Sequence, residues 1–210
     1  MPRSSIRHAR RCRYDAGQMD PIGHALFDTA IGACAIAWSP RGVVALQLPE
    51  SSGERTVARL RRRFPGTQPA SPPPPVNAAI DGIVALLDGA PIDLSDLVLD
   101  ESGVPEFHRA VYAIARTIAP GTTLSYGDIA TRLGDPTQAR AVGQALGQNP
   151  FAVIVPCHRV LAAGGAIGGF SAGGGAATKR RMLAIERARV GEEPDLFSAE
   201  PVPARATAAG

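Results

Sequence analysis

The chain has 210 residues and 45% apolar side chains, enough for one ordinary domain or two small ones with a substantial core. No apolar run approaches the roughly 18 residues of a membrane span, and the Arg-rich start lacks the apolar stretch of a secretory signal. The formal charge of +3 is too small to mark the whole chain as a polyanion binder.

Residues 1–19 read as a disordered basic head, a solvated tail rather than a binding arm. From Ala25 a β pattern begins, with apolar runs at Ala25–Ala30, Ala33–Trp38 and Val43–Leu48 separated by hairpin punctuation. Gly53–Phe64 reads as a polar, Arg-rich helix whose Arg61-Arg62-Arg63 run is a solvated end. Gln68–Pro75 is an extended spacer, Val76–Leu87 a helix with apolar residues at 3.6 spacing, and Leu97–Leu99 one more short strand. This first half, residues 20–102, shows no cluster of chemically capable side chains and reads as a small α/β scaffold.

The character changes at Gly103. A helix Pro105–Ile118 carries one apolar stripe and ends at Pro120-Gly121. Ser125 and Asp128 have capping-box spacing for a helix Tyr126–Leu133, and Asp135-Pro136 opens another, Thr137–Gly147. The two have helix-turn-helix proportions. The second is smooth: Ala139, Val142 and Leu146 pack, while Ala141, Gly143, Ala145 and Gly147 leave little side chain outside. Such a helix suits either tight helix packing with Arg140 on the surface, or a nucleic-acid groove with Arg140 inserted among the bases.

Phe151–Val155 has the length and β-branching of a buried strand, stopped by Pro156. Cys157 and His158 follow where the chain leaves the core, a place backed by packing yet reachable from outside. A Cys-His pair can equally be a buried apolar residue beside a loop residue. Arg159–Ala162 and Gly165–Ile167 read as a hairpin, Gly168–Gly175 as a Gly-rich loop, Ala176–Arg189 as a helix and residues 191–210 as a disordered tail. Glu186 sits near a helix C-terminus, unfavourable for an acid without a partner.

The charge is unevenly spread. Residues 101–190 carry ten bases against five acids, which suits a nucleic-acid partner, whereas residues 19–100 carry six Arg against nine acids. Of the 22 basic residues only Lys179 is a lysine, which with the Ala, Gly and Pro content reads as genome composition. Cys12, Cys34 and Cys157 are widely spaced, so they suggest reduced thiols in a cytoplasm and form no metal pattern.

The string Pro156-Cys157-His158-Arg159-Val160 resembles the core of the O6-methylguanine-DNA methyltransferases. It stands after Thr123-Leu124-Ser125-Tyr126, Ala139-Arg140-Ala141-Val142-Gly143 and Asn149-Pro150, and ahead of Phe170-Ser171, Lys179 and Glu186. The resemblance implies an α+β protein: a small ribonuclease-H-like α/β N-terminal domain (20–102), then a mainly helical, winged helix-turn-helix-like alkyltransferase domain (103–190). It implies a monomer without cofactor or metal, acting on double-stranded DNA that contains O6-alkylguanine. Cys157 would take the alkyl group once and keep it. His158, through a water, would deprotonate it, Glu186 would orient the imidazole, and Asn149 would hold the turn before the nucleophile. Tyr126 would help rotate the nucleotide and donate to the leaving guanine. Arg140 would fill the space of the flipped base, with Ala139, Ala141 and Gly143 against the groove, and flipping is needed because O6 is out of reach inside the stack. Val160, Phe170, Ser171 and Leu146 would line the pocket.

Position 170 is usually Tyr in that family, and the loop after Ser171 is two residues longer than is common. The rival readings are a lesion-binding sensor without transfer, a cysteine hydrolase and a regulatory helix-turn-helix protein. Cys157 speaks against the first, Arg140 against the second, and the absence of base-reading side chains on the smooth helix against the third.

Overall fold

Strand β2 (Cys34–Ser39) is buried along its whole length because both faces are covered, and the fold grows from it. Its flanking strands, β1 (Gly23–Phe27) and β3 (Gly42–Gln47), pair antiparallel to it in the order β1-β2-β3. Alternation sends Ala35 and Ala37 toward helix α1 (Gly53–Arg63), where they meet Leu60 and Phe64. Cys34, Ile36 and Trp38 face the opposite way into the main core. The computed structural model describes residues 23–170 and 173–188; the expected basic head, Ser171 and the expected C-terminal tail lie outside these.

Helix α2 spans Pro74–Leu87, starting inside the expected spacer because proline suits a first helical turn. The segment Leu97–Leu99 is not a strand. It makes a single parallel bridge, Val43 to Leu99, and runs so near the β2–β3 turn that a Cβ on Gly42 would sit 2.5 Å from the Val98 carbonyl oxygen. Asp100 fixes this connector: its carboxylate accepts from Ser39 Oγ (2.6 Å), Arg41 Nε (3.1 Å) and Ser102 Oγ (2.5 Å).

Helices α3 (Glu106–Arg116), α4 (Tyr126–Arg132) and α5 (Ala139–Gly147) pack on one another, and Tyr112 of α3 donates to the Ala145 carbonyl of α5 at 2.9 Å. The capping box at α4 is complete: Asp128 N donates to Ser125 Oγ (3.0 Å) and Ser125 N to Asp128 Oδ2 (2.7 Å).

Two readings of the sequence are corrected after α5. Phe151–Val155 is buried but is not a strand: Phe151 bridges Leu46 of β3, and the chain then turns, with Val153 at φ 70°. An apolar run reports burial, and periodicity alone does not separate a strand from a packed turn. The expected hairpin does not form either. Strand β5 (Val160–Leu161) pairs parallel with β4 (Leu124–Ser125), and a 3-10 turn at Ala163–Gly165 follows. Helix α6 (Gly175–Ile185) ends four residues before the expected Arg189, and Arg187 sits beyond it at φ 56°.

The result is a mixed α+β fold. One apolar cluster takes in Ile36 and Leu46 of the first half with Tyr112, Val142, Phe151 and Met182 of the second, so the core runs across the expected boundary at 102/103. Leu46 N also donates to the Pro150 carbonyl at 2.8 Å, tying β3 to the segment that leads to Cys157.

Candidate active site

Cys157 opens a single 3-10 turn, Cys157–Arg159, between the apolar turn at 151–155 and strand β5. It is held there by Asn149, whose Oδ1 accepts from Phe151 N and whose Nδ2 donates to the Val155 carbonyl, both at 2.8 Å. One buried amide thus closes both ends of a five-residue turn that includes a β-branched residue at positive φ, a conformation that persists only under such constraint. The thiol is half-buried and lines a cleft with Leu146, Asn149, Ala152 and Phe170, and with Leu48, Arg59 and Arg63 from the first half.

Burial raises the Cys157 thiol above its ordinary ionisation. A hydrogen bond from Asn149, the Lys179 charge and the backbone amides of Cys157 and His158 pull the other way. Among the described residues the other free thiol, Cys34, is fully buried on β2 and pushed up to about 12, so it is unreactive at neutral pH.

His158 is completely buried. Its Nε2 lies 2.9 Å from Glu186 Oε1, while its Nδ1, also buried, makes no hydrogen bond within the described protein. Burial lowers its proton affinity, with Glu186 opposing, so the ring is neutral near pH 7 and can accept a proton. Glu186 caps α6 and is bound on both oxygens. Besides His158 it accepts from Arg159 Nε at Oε2 and Arg159 Nη2 at Oε1, each at 2.8 Å. Burial would raise this carboxyl, but the bonds and charges of His158 and Arg159 hold it down at about 2. The acid that looked misplaced at a helix C-terminus therefore has two cationic or donor partners.

The β4–β5 pair brings Tyr126, first residue of α4, near the Cys157 thiol. Burial, then the nearby Cys157, raises the Tyr126 hydroxyl. Its ring rests on α5 at Gly143, where an added Cβ would lie 3.7 Å from the ring. Gly143 is therefore partly a packing surface for Tyr126. Ala139 and Ala141 are half-buried on α5, and Arg140 is exposed at its start. Leu146 and Phe170 line the cleft; Val160 is fully buried.

Lys179 belongs to this site, although in the sequence it stands only as one residue of a matching pattern. It has no exposed surface, donates from Nζ to the Val160 carbonyl at 2.6 Å, and stands 5.9 Å from the centroid of the Tyr126 ring. A buried lysine is rare without a partner. A signal exists in the composition: it is the one lysine among 22 basic residues, kept where every other cation is arginine. Arg159, likewise only part of a string in the sequence, is buried and clamps Glu186 while its Nη1 donates to the Ile118 carbonyl at 2.5 Å. Among the described residues, no three His, Cys, Asp or Glu side chains are placed to hold a metal ion. No described helix is long and apolar enough to cross a membrane.

Residues 106–188 match the family model described as 6-O-methylguanine DNA methyltransferase, DNA binding domain. A methylated-DNA–protein-cysteine methyltransferase of Methanothermobacter thermautotrophicus is 32% identical over 163 residues, covering 78% of this chain and 81% of that one. The protein of the same name from Mycolicibacterium paratuberculosis is 50% identical over 92 residues, 44% of this chain and 54% of its own length, so the matched stretch spans about half of that relative. Among solved structures, the Mycobacterium tuberculosis OGT in complex with DNA superposes with a TM-score of 0.63 at 33% identity, covering 81% of this chain and 96% of that one.

Proposed function

This chain belongs to the methylated-DNA–protein-cysteine methyltransferase family, and from that premise we propose that it repairs O6-alkylguanine in duplex DNA by a single, irreversible transfer to Cys157. The observation that carries the reading is the half-buried thiol beside a neutral, buried His158 whose other nitrogen is held by Glu186. That is a nucleophile, a base and an orienter in sequence.

The step is a displacement at the alkyl carbon. His158 Nδ1, through a water, takes the thiol proton; the thiolate sulfur forms the new C–S bond as the C–O6 bond breaks. The electron pair leaves with guanine, which accepts a hydrogen bond from the Tyr126 hydroxyl, and the proton taken by His158 passes through solvent to the released base. Glu186 stabilises the imidazolium during the step, and the thioether that remains has no route back to a thiol. Asn149 keeps the nucleophile's turn closed, and Lys179 fixes the Val160 carbonyl beside the pocket.

Helix α5 is the groove helix of this reading, with Arg140 as the side chain that replaces the flipped nucleotide and Ala139, Ala141 and Gly143 allowing close approach. Leu146, Phe170, Val160 and Ser171 form the pocket, and Ser171 lies outside the described residues. We further read residues 20–102 as a ribonuclease-H-like unit, the molecule as a monomer, and its compartment as a reducing cytoplasm in which Cys157 stays a free thiol. The absence of a bulkier replacement at position 157 favours transfer over lesion sensing.

Intact-protein mass after mixing with duplex DNA containing O6-methylguanine tests the reading. The expected result is a gain of one methyl group on the Cys157 peptide, saturating at one per molecule and lost in Cys157→Ser. Tight lesion binding without a mass change would move the protein to the sensor class.

A further inference from the structure

We propose that the arginine face of helix α1, in the first half of the chain, is a second contact surface for the phosphates of duplex DNA, an inference that rests on the repair reading above. In the sequence the Arg61-Arg62-Arg63 run reads as a solvated helix end, and Arg61 and Arg62 are exposed, while Arg63 is half-buried. At about 100° per residue, Arg55, Arg59, Arg62 and Arg63 fall within an arc of about 100° of the helix circumference. Glu54, the acid of the first turn, lies outside this arc, about 80° beyond Arg62.

That arc borders the nucleophile. Arg59 and Arg63 line the same cleft as Cys157. Arg63 Nη2 donates to the Gln148 carbonyl, the C-cap residue of α5, at 3.0 Å, so α1 abuts one end of the helix that carries Arg140 at the other. Arg59 pairs with Glu50 at 2.7 Å, which fixes its direction along the cleft. Arg55 and Arg62 stand exposed on the same arc, outside these fixed contacts.

A cleft whose thiol must reach a guanine base has its mouth against the sugar-phosphate backbone, because the base can leave the stack only along that strand. Guanidinium groups at the mouth therefore meet phosphate oxygens, which they bind in a planar, two-pronged geometry. The second half brings the base-flipping elements; the first half brings charge that holds the strand beside them. The surface carries no base-reading geometry, so its contribution is independent of sequence.

The test is the salt dependence of binding for the full chain, with duplexes containing guanine or O6-methylguanine. In Arg55→Gln/Arg62→Gln the slope of log K against log salt is expected to fall by about 2, the loss of two phosphate contacts, on both duplexes. Transfer from free O6-benzylguanine, which has no phosphate, stays at the wild-type rate. The Arg55→Lys/Arg62→Lys protein keeps the wild-type slope, because an ammonium still neutralises a phosphate. An unchanged slope in the Gln variant, or a Lys variant that behaves like it, would overturn the proposal. A wild type that shows the α1-dependent slope yet gains no methyl group would sink the repair reading and leave this surface standing.

Discussion

Glu186 Oε1 lies 2.9 Å from His158 Nε2 with both side chains almost wholly removed from water, at 2% and 1% exposure. The pair adjoins Cys157 in the chain, and in the proposed mechanism it decides when the imidazole can act. Burial lowers the proton affinity of His158 despite the carboxylate, so the imidazole is neutral at and above neutral pH and takes up a proton only at a pH below its ordinary 6.5. Burial raises the thiol, so Cys157 remains protonated through the neutral range.

A pH–rate profile for transfer from free O6-benzylguanine is therefore expected to rise on the acid side, where His158 loses its proton, and to level off across pH 7 to 9. Stopped-flow or discontinuous mass measurements would record it. A rate that climbs about tenfold per pH unit throughout, as direct ionisation of an unassisted thiol requires, would remove His158 from the role of base.

The same pair makes the fold acid-labile. Glu186 is depressed from 4.5 to about 2, so its contribution is complete above pH 4.5 and disappears as pH falls toward 2. The difference corresponds to on the order of 3 kcal/mol. His158 acts in the same direction, since burying it neutral favours the fold above 6.5 and opposes it below. Thermal melting from pH 7 to pH 3 should show a steep fall in Tm, and Glu186→Gln should flatten the lower part of it; parallel curves would disprove the assignment.

Lys179→Met removes a buried cation that lowers the Cys157 thiol, and leaves the Val160 carbonyl without its donor. The thiol is expected to ionise at a higher pH, and at fixed pH the thiolate falls about tenfold for every pH unit by which the midpoint rises. Alkylation by iodoacetamide as a function of pH, followed on the Cys157 peptide by mass spectrometry so that Cys12 and Cys34 do not contribute, reads this directly. An unmoved profile would confine Lys179 to a packing role.

Arg187 occupies the left-handed position after α6, with Ala188 N bonded to the Leu183 carbonyl (2.9 Å) and its own N to the Ala184 carbonyl (3.0 Å). This is the two-bond helix stop that normally uses glycine. Arg187→Gly is expected to stabilise by about 1 kcal/mol, seen as a rise of about 2–4 °C in Tm, because an exposed side chain is exchanged for relief of a strained φ. A lower Tm would show that the Arg187 side chain holds Glu186 in place.

Arg140→Ala separates flipping from chemistry. Transfer from O6-methylguanine within a duplex should slow by more than about tenfold while reaction with free O6-benzylguanine is unchanged, as single-turnover kinetics would show. Equal losses on both substrates would place Arg140 in the pocket rather than the groove.

The sequence by itself determined the family, the candidate thiol Cys157 with its neighbour His158, and the succession of helices α3 to α5. Those depend on residue type in a short, continuous order: Pro156 to Val160, the capping box at Ser125 and Asp128, the smooth run from Ala139. Helix boundaries α1 to α5 were legible to within about three residues for the same reason, since caps and 3.6 periodicity are local signals. The tertiary structure alone decided the rest, because contacts between residues distant in the chain leave no local trace. The run 151–155 became a turn once Asn149 took the Phe151 amide and the Val155 carbonyl and Leu46 took the preceding Pro150 carbonyl, and Val160–Leu161 joined β4 rather than forming a hairpin. Lys179 and Arg159 acquired their meaning only when folding buried them against Val160 and Glu186. Arg59 and Arg63, nearly a hundred residues before the thiol, reach its cleft because β3 pairs with the segment that delivers Cys157.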